Sequence, residues 1–165
     1  MSESLRGGAR YMNLLNLFIL QHVQLSVLHA ELSRSKGVPE TRDAKVELNL
    51  APAALGAASD AQLPAYQVSA RLNCEAEAEA GETPVFRATV GLEAVYQQQR
   101  GEPVDLMTFA GDNASLARQL YPMLQQEMRA LLHRMGVTGT QLPFDLESPG
   151  ERSESSGVAI IGSVH

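Results

Sequence analysis

Cysteine is almost missing from this sequence. Cys74 stands alone among 165 residues, which excludes an intrachain disulfide and any cluster built on several cysteine ligands. Tryptophan is absent and aromatic residues make up only 5%, so the core has to be filled by aliphatic side chains. Basic charge is also scarce: 13 Lys+Arg stand against 19 Asp+Glu, for a formal net charge of −6. An acidic chain is repelled by phosphate backbones, so nucleic-acid binding is not expected, and a basic protein partner suits the charge better. No long apolar run occurs. LLNLFIL (14–20) follows Arg6 and Arg10 and imitates a signal peptide, but it is short, contains Asn16 and leads into Gln21, His22 and Gln24 rather than a small-residue cleavage site. A membrane span needs about 20 apolar residues. The expectation is a cytoplasmic protein with no stable membrane insertion.

Apolar residues reach 44%, enough for one sizeable core and too short a chain for two ordinary domains. Residues 1–12 are polar and Gly-rich and read as a flexible N-terminus. In VQLSVLHAEL, Val23, Leu25 and Val27 alternate with Gln24 and Ser26, the period of a half-buried strand. AKVELNL (44–50) alternates more cleanly, with Val46, Leu48 and Leu50 on one side. A small-residue connection, 51–64, follows. AYQVSARLNC then sets Tyr66, Val68, Ala70, Leu72 and Cys74 against Gln67, Ser69, Arg71, Asn73 and, next in line, Glu75. AGETP leads to PVFRATVGLEAVYQQ, and two alternating runs about a short Gly-containing turn predict a β-hairpin. Four strands without an intervening helix pair antiparallel, with one apolar and one wet face.

One helical pattern comes after the strands. Leu116, Leu120, Leu124, Met128, Leu131, Leu132 and Met135 recur at steps of three and four, a stripe down one helix face. Gly136 caps it, with His133 and Arg134 in the last turn. Pro122 reads as the first helical position, where a missing N–H costs nothing. The fold class expected is α+β: a four-stranded antiparallel sheet followed by a long helix packed on it. Residues 13–147 form the domain and 148–165, Ser/Gly-rich and charged in its first part, a disordered C-terminal tail.

Chemistry is sparse. His22 and His29 are seven apart on a predicted strand, so alternation sets them on opposite faces. His133 fits a helix C-terminus, and His165 is the last residue. No H-E-x-x-H, P-loop or G-x-S-x-G is present. Cys74 lies in phase with the apolar face and reads as a small buried hydrophobe. No metal, cofactor or catalytic residue is expected. EAEAEAGE (75–82) aligns Glu75, Glu77 and Glu79 on one strand face. It is either a solvated edge that resists aggregation or an acidic docking surface for a basic partner.

AKVELNL, the pair AYQVSARLNC and GETPVFRATV, and LYPMLQQEMRALLHRMG with the QLPFDL after it carry a resemblance. In this order they resemble the second strand, the third and fourth strands, and the main helix of the SecB family of export chaperones, over residues 18–147. The resemblance implies a homotetrameric dimer of dimers, an ATP-independent holdase that keeps preproteins unfolded and passes them to the SecA motor. It implies client-binding apolar residues at Leu55, Phe109, Leu142 and Phe144. An acidic surface of Glu75, Glu77, Glu79 and Glu82 would dock a partner, and the helix face Leu120, Leu124, Met128, Leu131 and Met135 would pack between subunits. Some SecB-like proteins serve a single antitoxin partner, which is the second reading. A third is a small-ligand enzyme or carrier on a hotdog-like fold. It would need a catalytic acid or His beside the helix, and Asp105, Asp112 and Glu127 are the nearby acids, with no base paired to them.

Overall fold

A computed structural model describes residues 13–33, 44–55, 62–76, 84–137 and 142, and the backbone of 158–164. A 3-10 turn at Leu14–Asn16 opens the described chain, with the side chain of Asn13 accepting from the Leu15 N–H. Four strands come next: β1 Phe18–Leu32, β2 Ala44–Ala54, β3 Ala65–Ala76 and β4 Phe86–Gln98. Then come α1 Leu106–Gly111, α2 Asn113–Arg134 and a last strand, β5 Val158–Val164. All neighbours are antiparallel, in the order β1-β4-β3-β2-β5. The small-residue connection after β2 therefore joins adjacent strands, and it is the one after β1 that passes two strands.

The alternation expected from the sequence holds in β2, β3 and β4. Val46, Leu48, Leu50, Val68, Leu72, Val90 and Tyr96 are at most 1% exposed, all on the face that receives α2. Helix α2 packs on β4, β3 and β2. Its stripe of Leu116, Leu120, Leu124, Met128, Leu131 and Leu132 closes the core, as an amphipathic helix on a sheet must. Gly136, at φ +76°, ends α2. Its N–H donates to His133 O and the Val137 N–H donates to Leu132 O, the paired bonds of a left-handed cap.

Three expectations are corrected. Pro122 does not start the helix: α2 begins at Asn113 and runs through it. The carbonyl of Arg118, four residues back, receives no N–H from a proline; both residues lie on the exposed face, where water can serve that carbonyl. Val158–Val164, placed in a disordered tail by composition, instead pairs with Ala44–Leu50 as a fifth strand. The simple alternation of β1 fails as well. Its pairing with β4 shifts between Leu20 and His22 and again between Leu25 and Val27. Gln21 and Ser26 are thus bulge residues, and each reverses the phase of the strand residues beyond it. His22 and His29 therefore face the same side, opposite Val95 and Thr89. Those positions are six residues apart on β4, roughly 20 Å at strand rise, so the pair still cannot chelate.

Candidate functional site

The bulges decide what β1 shows to solvent. Counted through them, Leu20, Val23, Leu25, Leu28, Ala30 and Leu32 lie opposite Tyr96, Ala94, Leu92, Val90, Ala88 and Phe86. That is the helix-side face of the sheet. Their partners on β4 are buried, but α2 does not extend over β1. Leu25 is 42% exposed, Leu28 44% and Leu32 39%, while Leu20 and Val23 are half-buried. The result is a continuous, partly exposed apolar band along one sheet edge, level with the core, over which no described helix is laid to a comparable extent. Contiguous exposed apolar surface of this kind marks contact with another polypeptide or a ligand.

The residues expected to bind clients divide. Leu55, just past β2, is 39% exposed. Phe109 is 1% exposed and Leu142 5%, so both belong to the chain's own core. Phe144 lies outside the described residues. Phe109 sits in an aromatic cluster with ring centroids 4.8 Å from Tyr66, 4.9 Å from Phe18 and 5.7 Å from Tyr96. Half of the chain's eight Phe and Tyr residues are gathered there, which is how so few aromatics hold the turn from β4 into α1. Gln98, 2% exposed, fixes the same turn. Its amide donates to the carbonyls of Arg100 and Glu102 and accepts from the Val104 N–H. Tyr66 donates its hydroxyl to Val104 O.

The helix residues expected between subunits are also consumed within the chain. Leu120, Leu124 and Met128 are 0% exposed and Leu131 9%, and Met135 is partly buried against the same core. The outward face of α2 carries Arg118, Pro122, Gln126, Arg129, His133 and Arg134 instead. Periodicity identified the apolar stripe but could not say whether sheet or second copy would cover it.

The far face of the sheet is polar and largely self-satisfied. Glu75 pairs with Arg87 at 3.3 Å. Glu93 accepts from Gln67 and Ser69, Asn73 accepts from Thr89, and Glu47 accepts from Asn49. Lys45, Glu47, Asn73, Glu75, Arg87 and Thr89 line a shallow open depression there. Glu77, Glu79 and Glu82 lie outside the described residues. Of the four acids expected there, Glu75 is the one described, and it is half of an exposed ion pair.

Catalytic arrangements find little support among the described residues. No three His, Cys, Asp or Glu side chains are grouped to hold a metal ion. Burial, and next the charge of Glu75, pushes the Cys74 thiol up to about 12, far from the thiolate a nucleophile needs. Asp105 caps α1 by accepting from the Thr108 N–H at 2.7 Å, and this hydrogen bonding lowers its carboxyl. Asp112 accepts from the Leu14 N–H. Burial raises both Tyr66 and Tyr96. Each of these carboxylates and tyrosines has a structural partner.

Comparison with solved structures decides the fold. The Mycobacterium tuberculosis Rv1957 SecB-like chaperone, solved in complex with a ChAD peptide from the Rv1956 HigA1 antitoxin, superposes with a TM-score of 0.59. The match covers 79% of this chain and 93% of that one, at 18% sequence identity. The fold is SecB-like. No protein-family model and no curated protein sequence matches the chain, so the likeness lies in architecture: the SecB-like antiparallel sheet and its long helix. No helix of the described residues is long and apolar enough to cross a membrane. Within this SecB-like frame, sequence reasoning missed the band on β1. The signal was present in the spacings of three from Leu20 to Val23 and from Leu25 to Leu28, which an unbulged strand cannot place on one face.

Proposed function

We propose that this chain is a molecular chaperone that holds non-native polypeptide without ATP and without any chemical step of its own, acting in the cytoplasm. The observation that carries the reading is the partly exposed apolar band of β1 on a SecB-like fold. Covering a half-exposed Leu or Val is worth about 1 kcal/mol, so a client contacting several of them gains a few kcal/mol. That suits reversible holding. The band also supports self-assembly, as a dimer of dimers in which copies bury part of it and the remainder faces client. The test is whether the purified protein, at stoichiometric ratio and without nucleotide, delays aggregation of a slowly folding protein. No delay would sink the reading.

A second reading gives the chaperone one dedicated partner. The SecB-like neighbour is described with a peptide from an antitoxin, which favours a segment-specific role over general protein export and translocation. Docking to the SecA motor has less support, since Glu75, Glu47 and Glu93 already have partners on the sheet face. Affinity for several unrelated unfolded preproteins separates the two: comparable binding to all favours the general holdase, and one strong co-purifying partner the dedicated role.

A further inference from the structure

We infer that the outer edge of β2 is a strand-addition site for extended apolar polypeptide, and that β5 is its built-in, displaceable occupant. The inference rests on the chaperone reading for the identity of the incoming chain, but the site itself rests on β2 and β5.

Strand β2 pairs with β3 along its whole length and with β5 only over Ala44–Leu50. Pro52, two residues beyond that pairing, lies opposite Val68 of β3 with no described strand on its outer side, and proline suits such a position because it donates nothing to a ladder. Without β5, the outward N–H and C=O groups of Ala44–Leu50 would be open, and open edges recruit extended chains by backbone pairing. The register shows what the edge accepts. Val158, Ile160 and Val164 stand opposite Leu50, Leu48 and Ala44, while Ser163 stands opposite Lys45. Gly162 stands opposite the fourth buried position, Val46, and Ala159 and Ile161 stand opposite Asn49 and Glu47, so the edge takes apolar residues on both faces and asks for no strict alternation. No other described helix or strand packs on β5 to a comparable extent. Fifteen residues rich in Ser, Glu, Pro and Gly (143–157) separate it from Leu142. A segment so tethered competes at high effective concentration, yet it is held through one strand only. An extended, mostly apolar segment of a non-native protein presents the same backbone and a similar composition, and can take its place.

The test compares the full chain, a chain ending at Gly157, and the full chain with Ile160→Pro, which removes a ladder donor from β5. The probes are a fluorescent peptide of sequence VAIIGSV and a reduced, carboxymethylated, permanently unfolded protein. Occupancy of the edge by β5 for nine-tenths of the time reduces apparent affinity about tenfold, so both variants are expected to bind both probes tenfold or more tightly than the full chain. Equal affinity for both probes in all three proteins would overturn the inference, leaving the holdase reading intact if the unfolded protein is bound. Peptide bound by the variants with no unfolded protein bound by any form would uphold the edge site and refute the holdase reading. Exchange of β5 between two copies, seen as a dimer of the full chain that is lost on truncation with no gain in peptide binding, would also overturn it. Should the shortened chain precipitate, the Ile160→Pro protein carries the comparison.

Discussion

Gly91 on β4 sits directly opposite Val27 on β1, and the gap between them admits a methyl group only if β1 gives way by a few tenths of an ångström. A Cβ at position 91 would stand 3.0 Å from the Val27 Cβ and 3.1 Å from the Ser26 Oγ. Both neighbours belong to the second bulge of β1, so the glycine is where the bulged edge strand lies closest to the sheet. Gly91→Ala should destabilise the fold by about 1 kcal/mol, crowding outweighing the gain from a stiffer unfolded chain. Combined with Val27→Gly, which removes two of the three close atoms, the loss should be less than the sum of the single changes. Urea unfolding of the four proteins of this cycle checks it, and simple additivity would refute the contact.

Leu25 and Leu28 should separate assembly from stability. Both are more than 40% exposed, so Leu25→Gln and Leu28→Gln should change the unfolding free energy of the single chain by only about 0.5 kcal/mol. Together they should lower the molar mass seen by light scattering and weaken client binding. A double variant that assembles and holds clients like the parent would remove β1 from the functional surface.

Phe109 should behave as core. Phe109→Ala is expected to cost about 3–5 kcal/mol, because the ring is 1% exposed and touches three others. Tyr96→Phe should cost about 1 kcal/mol through loss of the hydroxyl's 2.8 Å bond to Gln119. Chemical denaturation measures both; a Phe109→Ala chain of unchanged stability but lost client binding would return that residue to the functional surface.

Pro122 offers a stabilising substitution. In Pro122→Ala the new N–H can reach the Arg118 carbonyl on the exposed face of α2, and the gain should be about 1–2 kcal/mol, the helical penalty of proline less the entropy it removes from the unfolded chain. A higher thermal midpoint with unchanged assembly is the expected result.

Cys74 should be silent to thiol reagents in the folded chain at pH 8 and reactive in denaturant. Its thiol is raised from 9.0 to about 12, so above pH 9 the unfolded chain releases a proton that the folded chain keeps. Stability is unaffected by this group below pH 9 and falls between pH 9 and 12, at about 1.4 kcal/mol per pH unit where the effect is full. Tyr66 and Tyr96, also raised, act in the same direction. Cys74→Ala should flatten the alkaline fall without abolishing it, as measured by thermal unfolding across that range.

Sequence pattern was a good guide where a strand or helix is covered on one side by a single neighbour. Leu48, Leu72 and Val90 alternate without interruption because each has α2 above it and water below, and Leu120, Leu124 and Met128 keep their spacing for the same reason. Pattern failed where the backbone itself departs from regularity. Gln21 and Ser26 look like any polar strand residues, and nothing in their chemistry announces a phase reversal. Val158–Val164 was obscured by the polar stretch before it, whose composition dominated the reading of the whole segment. Phe109 and Leu142 looked available because a short apolar residue in a connection has the same appearance whether it turns inward or outward. Gln98 was overlooked because its role lies in three backbone groups beyond it, which no side-chain pattern records.

Strand β1 spends 15 residues to lie alongside 13 of β4. Gln21 and Ser26 are in that sense spare length, two points where the ladder already tolerates an extra residue. Deleting either one would take out its bulge and leave the register as it is, so that Leu20 and Val23, or Leu25 and Leu28, would fall two residues apart on a regular ladder and keep their present face. Deleting a residue from the regular stretch Val23–Leu25 would instead exchange inside for outside over one side of the cut, unless a bulge were lost with it. The hydrophobic band can therefore spare these two residues and has no such slack between them.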